Sequence, residues 1–125
     1  MKSKSPELRR PAAPAEFPSR DVRVSDLASR LGEDPGKLIR RETIEYAALR
    51  KVQVSPTQLN WFVVHAAERL CALFSGPVDP SFRRAWRHNN QAFREFARAW
   101  VRLWVRRFVS DPTGYYCEHE DRKAV

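Results

Sequence analysis

The sequence predicts an all-α fold, a small helical bundle of three main helices preceded by a short one. Helix start signals recur along the chain, at Asp34-Pro35, at Ser55-Pro56-Thr57-Gln58 and at Asp79-Pro80. Between these signals the apolar residues follow steps of three and four, which is typical of a helix face that packs on a core. No stretch alternates apolar and polar residues over the length of a convincing strand.

Composition divides the chain into three parts. Residues 1–20 contain four prolines and few large apolar side chains, so they cannot bury enough surface to offset chain entropy, and we predict a flexible basic arm. Residues 21–110 hold most of the apolar residues and are predicted to form the bundle domain. Residues 111–125 form an acidic C-terminal tail.

The first two helices are predicted from their caps. Ser25 is the candidate N-cap of the short helix, and Gly32 is its expected stop. Asp34-Pro35 then supplies an N-cap and a first-turn proline, and the second helix should run to about Lys51.

The remaining helices have equally clear limits. Ser55-Pro56-Thr57-Gln58 is a capping box with proline at the first helical position, and Gly76-Pro77 should end the helix it starts. Asp79-Pro80 repeats the cap and opens one long basic helix, which we expect to continue to residues 110–114.

An apolar seam is predicted along this long helix, with steps of four and three between its members. Because Trp86 and Trp100 fall on the seam, we expect them in the core rather than stacked on bases. Trp61, near a helix start, is the best exception. Asn89 interrupts the seam and is expected to set helix register through a buried hydrogen bond, or else to contact a partner chain. The seam comprises Phe82, Trp86, Asn89, Phe93, Phe96, Trp100 and Leu103.

An arginine row covers the other side of the same helix. Between residues 82 and 107 there are eight arginines and one acid, Glu95. Like charges at helical spacing repel one another, so an unpaired row gains most when an anion lies against it. An arginine-rich solvated face is the alternative, because arginine is a good helix former. The candidate nucleic-acid-binding residues are Arg83, Arg84, Arg87, Arg94, Arg98, Arg102 and Arg106.

The overall charge also indicates an anionic partner. The chain of 125 residues has a net charge of +8, which suits RNA or DNA phosphates. No apolar run is long enough to span a bilayer, and the aromatic seam is needed for the core, so no membrane partner is expected. The N-terminal residues lack the apolar segment of a secretory signal, and Cys71 and Cys117 lie in unlike contexts. We therefore expect a cytoplasmic protein without a structural disulfide.

Catalytic chemistry has little support in this sequence. His65, His88 and His119 stand in no spacing that supports a mechanism, and the four glycines are scattered singly, so no loop could cradle a nucleotide. Cys117 and His119 lack the further ligands that a closed zinc site needs. We expect no catalytic residue, no metal and no cofactor, and His65 is expected to be a core histidine.

Two other functions compete with binding to a nucleic-acid backbone. Residues 24–41 read as a helix-turn-helix, although Pro35-Gly36 leaves few side chains at the start of the second helix to reach base edges. A regulator of this kind would prefer particular DNA sequences. A protein-interaction module, with the arginines against an acidic partner protein, is the third possibility.

Two segments resemble a known family. Val54-Ser55-Pro56-Thr57-Gln58-Leu59 opening a helix, and the aromatic and arginine-rich stretch Phe82 to Phe108, are similar to the helical small subunits of multi-subunit CRISPR effector complexes. The resemblance implies a small, non-catalytic helical subunit of a ribonucleoprotein assembly. It also implies contacts with copies of itself and with a backbone-forming subunit. No site residue is transferred from the family, so the arginines rest on the helical-wheel argument alone.

Overall fold

A computed structural model describes residues 23–75 and 80–124, apart from the side chains of Arg83 and residues 121–124. The predicted arm, the stop at Gly76-Pro77 and the cap at Asp79 lie outside this range. Within it the chain is helical and contains no strand, which confirms the all-α class. The described helices are α1 (Val24–Leu31), α2 (Pro35–Arg50), α3 (Pro56–Ser75), α4 (Pro80–Trp86), α5 (Asn90–Ser110) and α6 (Pro112–Ala124).

The corner between α1 and α2 follows the predicted signals. Gly32 ends α1 with φ of 81°, a left-handed conformation that glycine adopts without steric cost. The carboxylate of Asp34 accepts a hydrogen bond of 3.1 Å from the Lys37 N–H, as expected of an N-cap. The start of α1 differs from the prediction, because Arg23 rather than Ser25 is its N-cap. Asp26 accepts from the Arg23 N–H at 2.9 Å, which allows the helix to begin two residues earlier.

The capping signal at Ser55 is confirmed for the serine, whereas the Gln58 side chain donates to the Thr113 hydroxyl at 3.0 Å and does not complete a capping box. Its hydroxyl accepts a hydrogen bond of 3.1 Å from the backbone N–H of Gln58, and its carbonyl accepts from the N–H of Leu59 at 2.9 Å. Pro56 is the first residue of α3, where its missing N–H costs no hydrogen bond.

The long basic helix is broken into α4 and α5, and the prediction of one continuous helix is wrong. Asn89 lies between the two parts, exposed, and its side-chain oxygen accepts from the Ala92 N–H at 2.9 Å. It is therefore the N-cap of α5 and not a buried register residue on a seam. Asparagine favours this position because its side chain satisfies a backbone donor at the helix start.

Arg30 of α1 holds the break in place. Its guanidinium donates to the carbonyls of Trp86 and His88 at 2.7 and 2.8 Å, and its Nε donates to the Asn90 side chain at 3.0 Å. The same group lies over the rings of Trp86 and Phe93, 5.1 and 4.3 Å from their centroids. Carbonyls left open where α4 ends thus receive a charged donor from another helix.

The core of α5 lies on a different stripe from the predicted seam. Phe93 is fully buried as expected, but Phe96 and Trp100 are half-buried and Leu103 is exposed. The buried stripe continues instead one residue further on at each turn, through Ala97, Val101, Trp104 and Phe108. The seam was predicted from the largest side chains, whereas small residues at 97 and 101 let α5 approach α1 and α2.

Residues of the predicted acidic tail form α6, which packs on α3 and α5. Tyr115 is its buried anchor, in edge contact with Phe62 and Phe108 at 5.6 and 5.7 Å between centroids. Phe62 and Phe108 stack on each other at 4.2 Å and are both fully buried. Three helices therefore meet at one aromatic cluster in the core.

Candidate nucleic-acid interface

The arginine row of α5 begins beside the core and ends in solvent. Each step of four residues turns a side chain by about 40° around the helix axis, at about 100° per residue. Since the buried stripe lies close to Arg94, this drift carries the later arginines progressively away from the core. Accordingly Arg94 and Arg98 are half-buried, while Arg102 and Arg106 are exposed.

Arg94 contacts the end of α1, and Arg98 is half-buried one turn further along α5. The Nε of Arg94 donates to the carbonyl of Arg30 at 3.2 Å, close to the negative end of the α1 dipole. Its guanidinium lies so near Gly32 that a side chain there would contact it. The Nε of Arg98 is buried and has no hydrogen-bond partner among the described residues. Arg94 is therefore neither fully solvated nor unpaired, whereas Arg98 is half-buried but has no hydrogen-bond partner at its Nε among the described residues.

Arg102 is paired within the molecule. Its Nε donates to the carboxylate of Glu42 on α2 at 3.1 Å, with 55% of the arginine side chain and 14% of the glutamate side chain exposed. A depression of about 320 Å³ adjoins this pair, and Glu45, Leu49 and Arg106 contribute to its lining. The acids of α2 thus neutralise part of the row that the sequence of α5 alone presented as unpaired.

Three members of the predicted row are exposed and unpaired among the described residues, as the sequence predicts, namely Arg84, Arg87 and Arg106. All three are exposed, and their side chains form no hydrogen bond or ion pair with any described residue. Arg84 and Arg87 belong to α4 and the turn after it, while Arg106 lies in the last part of α5. The side chain of Arg83 is outside the described part of the chain.

Arg107 was missed as a candidate, whereas the cations of α2 were considered only for the helix-turn-helix alternative. Arg107 is exposed on the side of α5 that faces α6, opposite to the predicted row; its place beside Arg106 in the sequence was the available signal. On α2, Lys37 and Arg40 are exposed, and Arg40 donates to the side chain of Asn60 at 2.9 Å. These two residues give α2 a basic surface of its own.

Glu33 and Arg41 form a bidentate ion pair beside that surface. Two guanidinium nitrogens of Arg41 donate to the two carboxylate oxygens of Glu33, each at 2.8 Å. The hydrogen bond from Arg41 holds the pKa of Glu33 below its ordinary value, although partial burial acts in the opposite direction. The same pair raises the pKa of Arg41. Arg41 is therefore less available to an external anion than Lys37 or Arg40.

The segment suggested as a helix-turn-helix does form two helices joined by a short turn. Its second helix, α2, packs against both α3 and α5 and buries Pro35, Leu38 and Ile39. The exposed part of α2 near the turn comprises Lys37, Arg40, Arg41, Ile44 and Glu45. Arg41 is paired with Glu33, so Lys37 and Arg40 are the cations of this face that would be available to DNA.

Trp61, His65 and His119 lie in the contact between α3 and α6, while His88 is exposed in the turn after α4. The indole N–H of Trp61 donates to Glu120 at 2.8 Å, and its ring stacks on His65 at 4.8 Å. His119 in turn stacks on Tyr115 at 4.0 Å. Trp61 is thus occupied by contacts with α6. Among the described residues no three or more His, Cys, Asp or Glu side chains are grouped as metal ligands.

Within the described residues no helix combines the length and the apolar character needed to cross a bilayer. Comparison with protein-family models, with curated proteins and with solved structures finds no match for this chain.

Proposed function

We propose that this protein is a non-catalytic subunit of a ribonucleoprotein assembly that binds the nucleic-acid backbone without sequence preference. The observation that carries the proposal is the set of exposed arginines Arg84, Arg87 and Arg106, which have no anionic partner among the described residues. A net charge of +8 leaves the chain with a strong long-range attraction for polyanions. Arg102 adds a cation that is shared with Glu42.

The exposed side chains favour contacts with phosphate groups over contacts with bases. An arginine guanidinium suits phosphate because its planar fork offers paired donors. Trp86 is buried, and Trp61 is held by Glu120, so these aromatic rings are not presented as platforms for base stacking. Contacts of this kind position a nucleic acid without reading its sequence.

The test is binding of the full chain to single- and double-stranded oligonucleotides of scrambled sequence across a salt series. We expect affinity to be independent of sequence and to fall linearly with salt on logarithmic axes. Replacement of Arg84 and Arg87 by Gln should lower the slope by about 0.7 to 0.9 for each phosphate contact removed. The matched control is Lys37→Gln/Arg40→Gln on α2, which removes the same charge from another surface.

Each contrary result identifies a different function. A larger loss in the α2 control, together with a preference for particular duplex sequences, would overturn the proposal in favour of the helix-turn-helix alternative. Absence of binding at low salt would indicate that the arginines meet an acidic protein instead.

A further inference from the structure

A second group of polar side chains lies away from the arginines discussed above, where α3, α5 and α6 meet. A depression of about 650 Å³ is present there. Each of the three helices contributes a potential donor to its lining, Arg69 from α3, Arg107 from α5 and Tyr115 from α6. The site is independent of Arg84, Arg87 and Arg106.

The hydroxyl of Tyr115 is the unusual group in this depression. Tyr115 is only 6% exposed, and its hydroxyl oxygen is buried without a hydrogen-bond partner among the described residues. The ring cannot easily turn away, because it is stacked on His119 and in edge contact with Phe62 and Phe108. A buried polar group without a partner is unfavourable, and an acceptor supplied from outside would remove that cost.

Two guanidinium groups line the same depression as this hydroxyl. Arg69 lies beside it without hydrogen-bond geometry and covers the ring of Trp104, 4.7 Å from the centroid. Arg107 is exposed on the other side of the depression. Burial raises the pKa of Tyr115, and the two arginines oppose this rise. Neither arginine forms an ion pair with a described residue.

We propose that this depression binds a phosphate group, which accepts hydrogen bonds from Arg69, Arg107 and the Tyr115 hydroxyl. Three donors from three helices match the several oxygens of phosphate better than the two oxygens of a carboxylate. Since the hydroxyl is covered and Arg69 lies over the ring of Trp104, phosphate binding requires a rearrangement of the Arg69 side chain. Asp111 and Glu118 also line the depression and weaken anion binding by their charge.

The test is titration of the full chain with inorganic phosphate at constant ionic strength, followed by calorimetry and by the amide signals of residues 107–119 in NMR spectra. We expect saturable binding that Tyr115→Phe and Arg69→Gln each weaken by about tenfold or more, since hydrogen bonds to charged groups are strong. Lys37→Gln, which removes an exposed cation of α2, is the matched control and should bind phosphate as the native chain does. Asp111→Asn, which keeps a capping side chain for Gly114, should bind more tightly.

Folding of the key variant is checked separately. Tyr115→Phe keeps every ring contact and removes a hydroxyl that has no partner, so its melting temperature without phosphate should equal or exceed that of the native chain. Absence of saturable phosphate binding by the native chain would overturn the proposal. Unchanged binding by a folded Tyr115→Phe would overturn it as well.

A second titration tests whether the phosphate group belongs to the end of a nucleic acid or to a free phosphate compound. A short oligonucleotide with a 5′-phosphate is compared with the same oligonucleotide ending in a 5′-hydroxyl, in the Arg84→Gln/Arg87→Gln background. Tighter binding of the phosphorylated end identifies a nucleic-acid terminus as the ligand. Equal binding of both oligonucleotides, with inorganic phosphate still saturating the site, identifies a free phosphate compound.

Discussion

The arginines of this chain have different structural roles, although the sequence presents them as a uniform set. Arg30 donates three hydrogen bonds to the segment that joins α4 to α5, and burial lowers its pKa. Arg94 serves the end of α1, whereas Arg87 has no ionic partner among the described residues. The contact environment, and not the residue type, separates structural from available arginines.

Arg30→Met should destabilise the protein by about 1–3 kcal/mol, because it leaves the carbonyls of Trp86 and His88 without their charged donor. Chemical denaturation measures this change. Arg30→Lys should recover only part of the loss, since an ammonium cannot reproduce the three-point geometry of the guanidinium. Arg87→Met is the control and should change the unfolding free energy by less than about 0.5 kcal/mol. An equal effect of the two methionine variants would contradict the structural role of Arg30.

The ion pair of Glu33 with Arg41 makes stability depend on pH. The pKa of Glu33 is lower in the folded chain than in the unfolded chain, mainly because of the hydrogen bond from Arg41. Its contribution is therefore fully present above the unfolded value of about 4.3 and is lost as the pH falls through the lower folded value. We expect the melting temperature of the native chain to exceed that of Glu33→Gln at pH 6, and the difference to shrink below pH 4. A difference that is constant with pH would exclude this linkage.

At the scale of the elements, the break between α4 and α5 decides which side of α5 is buried. Asn89 starts a new helix in which the buried stripe passes through small residues such as Ala97 and Val101. This places Arg94 beside the core and leaves Leu103 in solvent. The helix that starts at this cap holds Arg94 and Arg98 half-buried and leaves Arg102 and Arg106 exposed.

Asn89→Ala should cost about 0.5–2 kcal/mol, because the Ala92 N–H loses its acceptor at the start of α5. Thermal unfolding monitored by circular dichroism measures the loss. Asn89→Asp should restore most of it, since aspartate is an equally good N-cap. Gln91→Ala, an exposed change in the same turn, is the control. A loss no greater than that of the control would show that the cap contributes little.

At the scale of the whole molecule, one aromatic cluster joins α3, α5 and α6. Phe62 and Phe108 stack at 4.2 Å, and Tyr115 closes the cluster from α6. Because these helices share one buried cluster, we expect them to unfold together rather than one after another. The depression proposed to bind phosphate depends on the same packing, since Tyr115 belongs to both.

Phe62→Ala should lower the unfolding free energy by about 3–5 kcal/mol, the usual cost of a large cavity in an aromatic core. Val64→Ala on the same helix removes a side chain that is 57% exposed and should cost less than about 1 kcal/mol. Denaturant unfolding followed by both tryptophan fluorescence and circular dichroism would measure the two losses. Non-coincident transitions in the native chain would contradict a single cooperative core.

The sequence by itself determined the fold class and most helix limits, because caps such as Asp34, Ser55 and Gly32 act through local hydrogen bonds and backbone conformation. It also determined the excess of positive charge. It did not reveal α6, since the apolar signal of that segment is confined to a few residues around Tyr115.

The tertiary structure alone decided which arginines are available. Helical spacing places Arg94 and Arg102 on one row, but whether each meets a carbonyl or a carboxylate depends on residues about 60 positions away, such as Arg30 and Glu42. The same holds for the depression around Tyr115, whose donors come from three helices. Contacts between distant segments depend on how the helices pack, which local spacing does not encode.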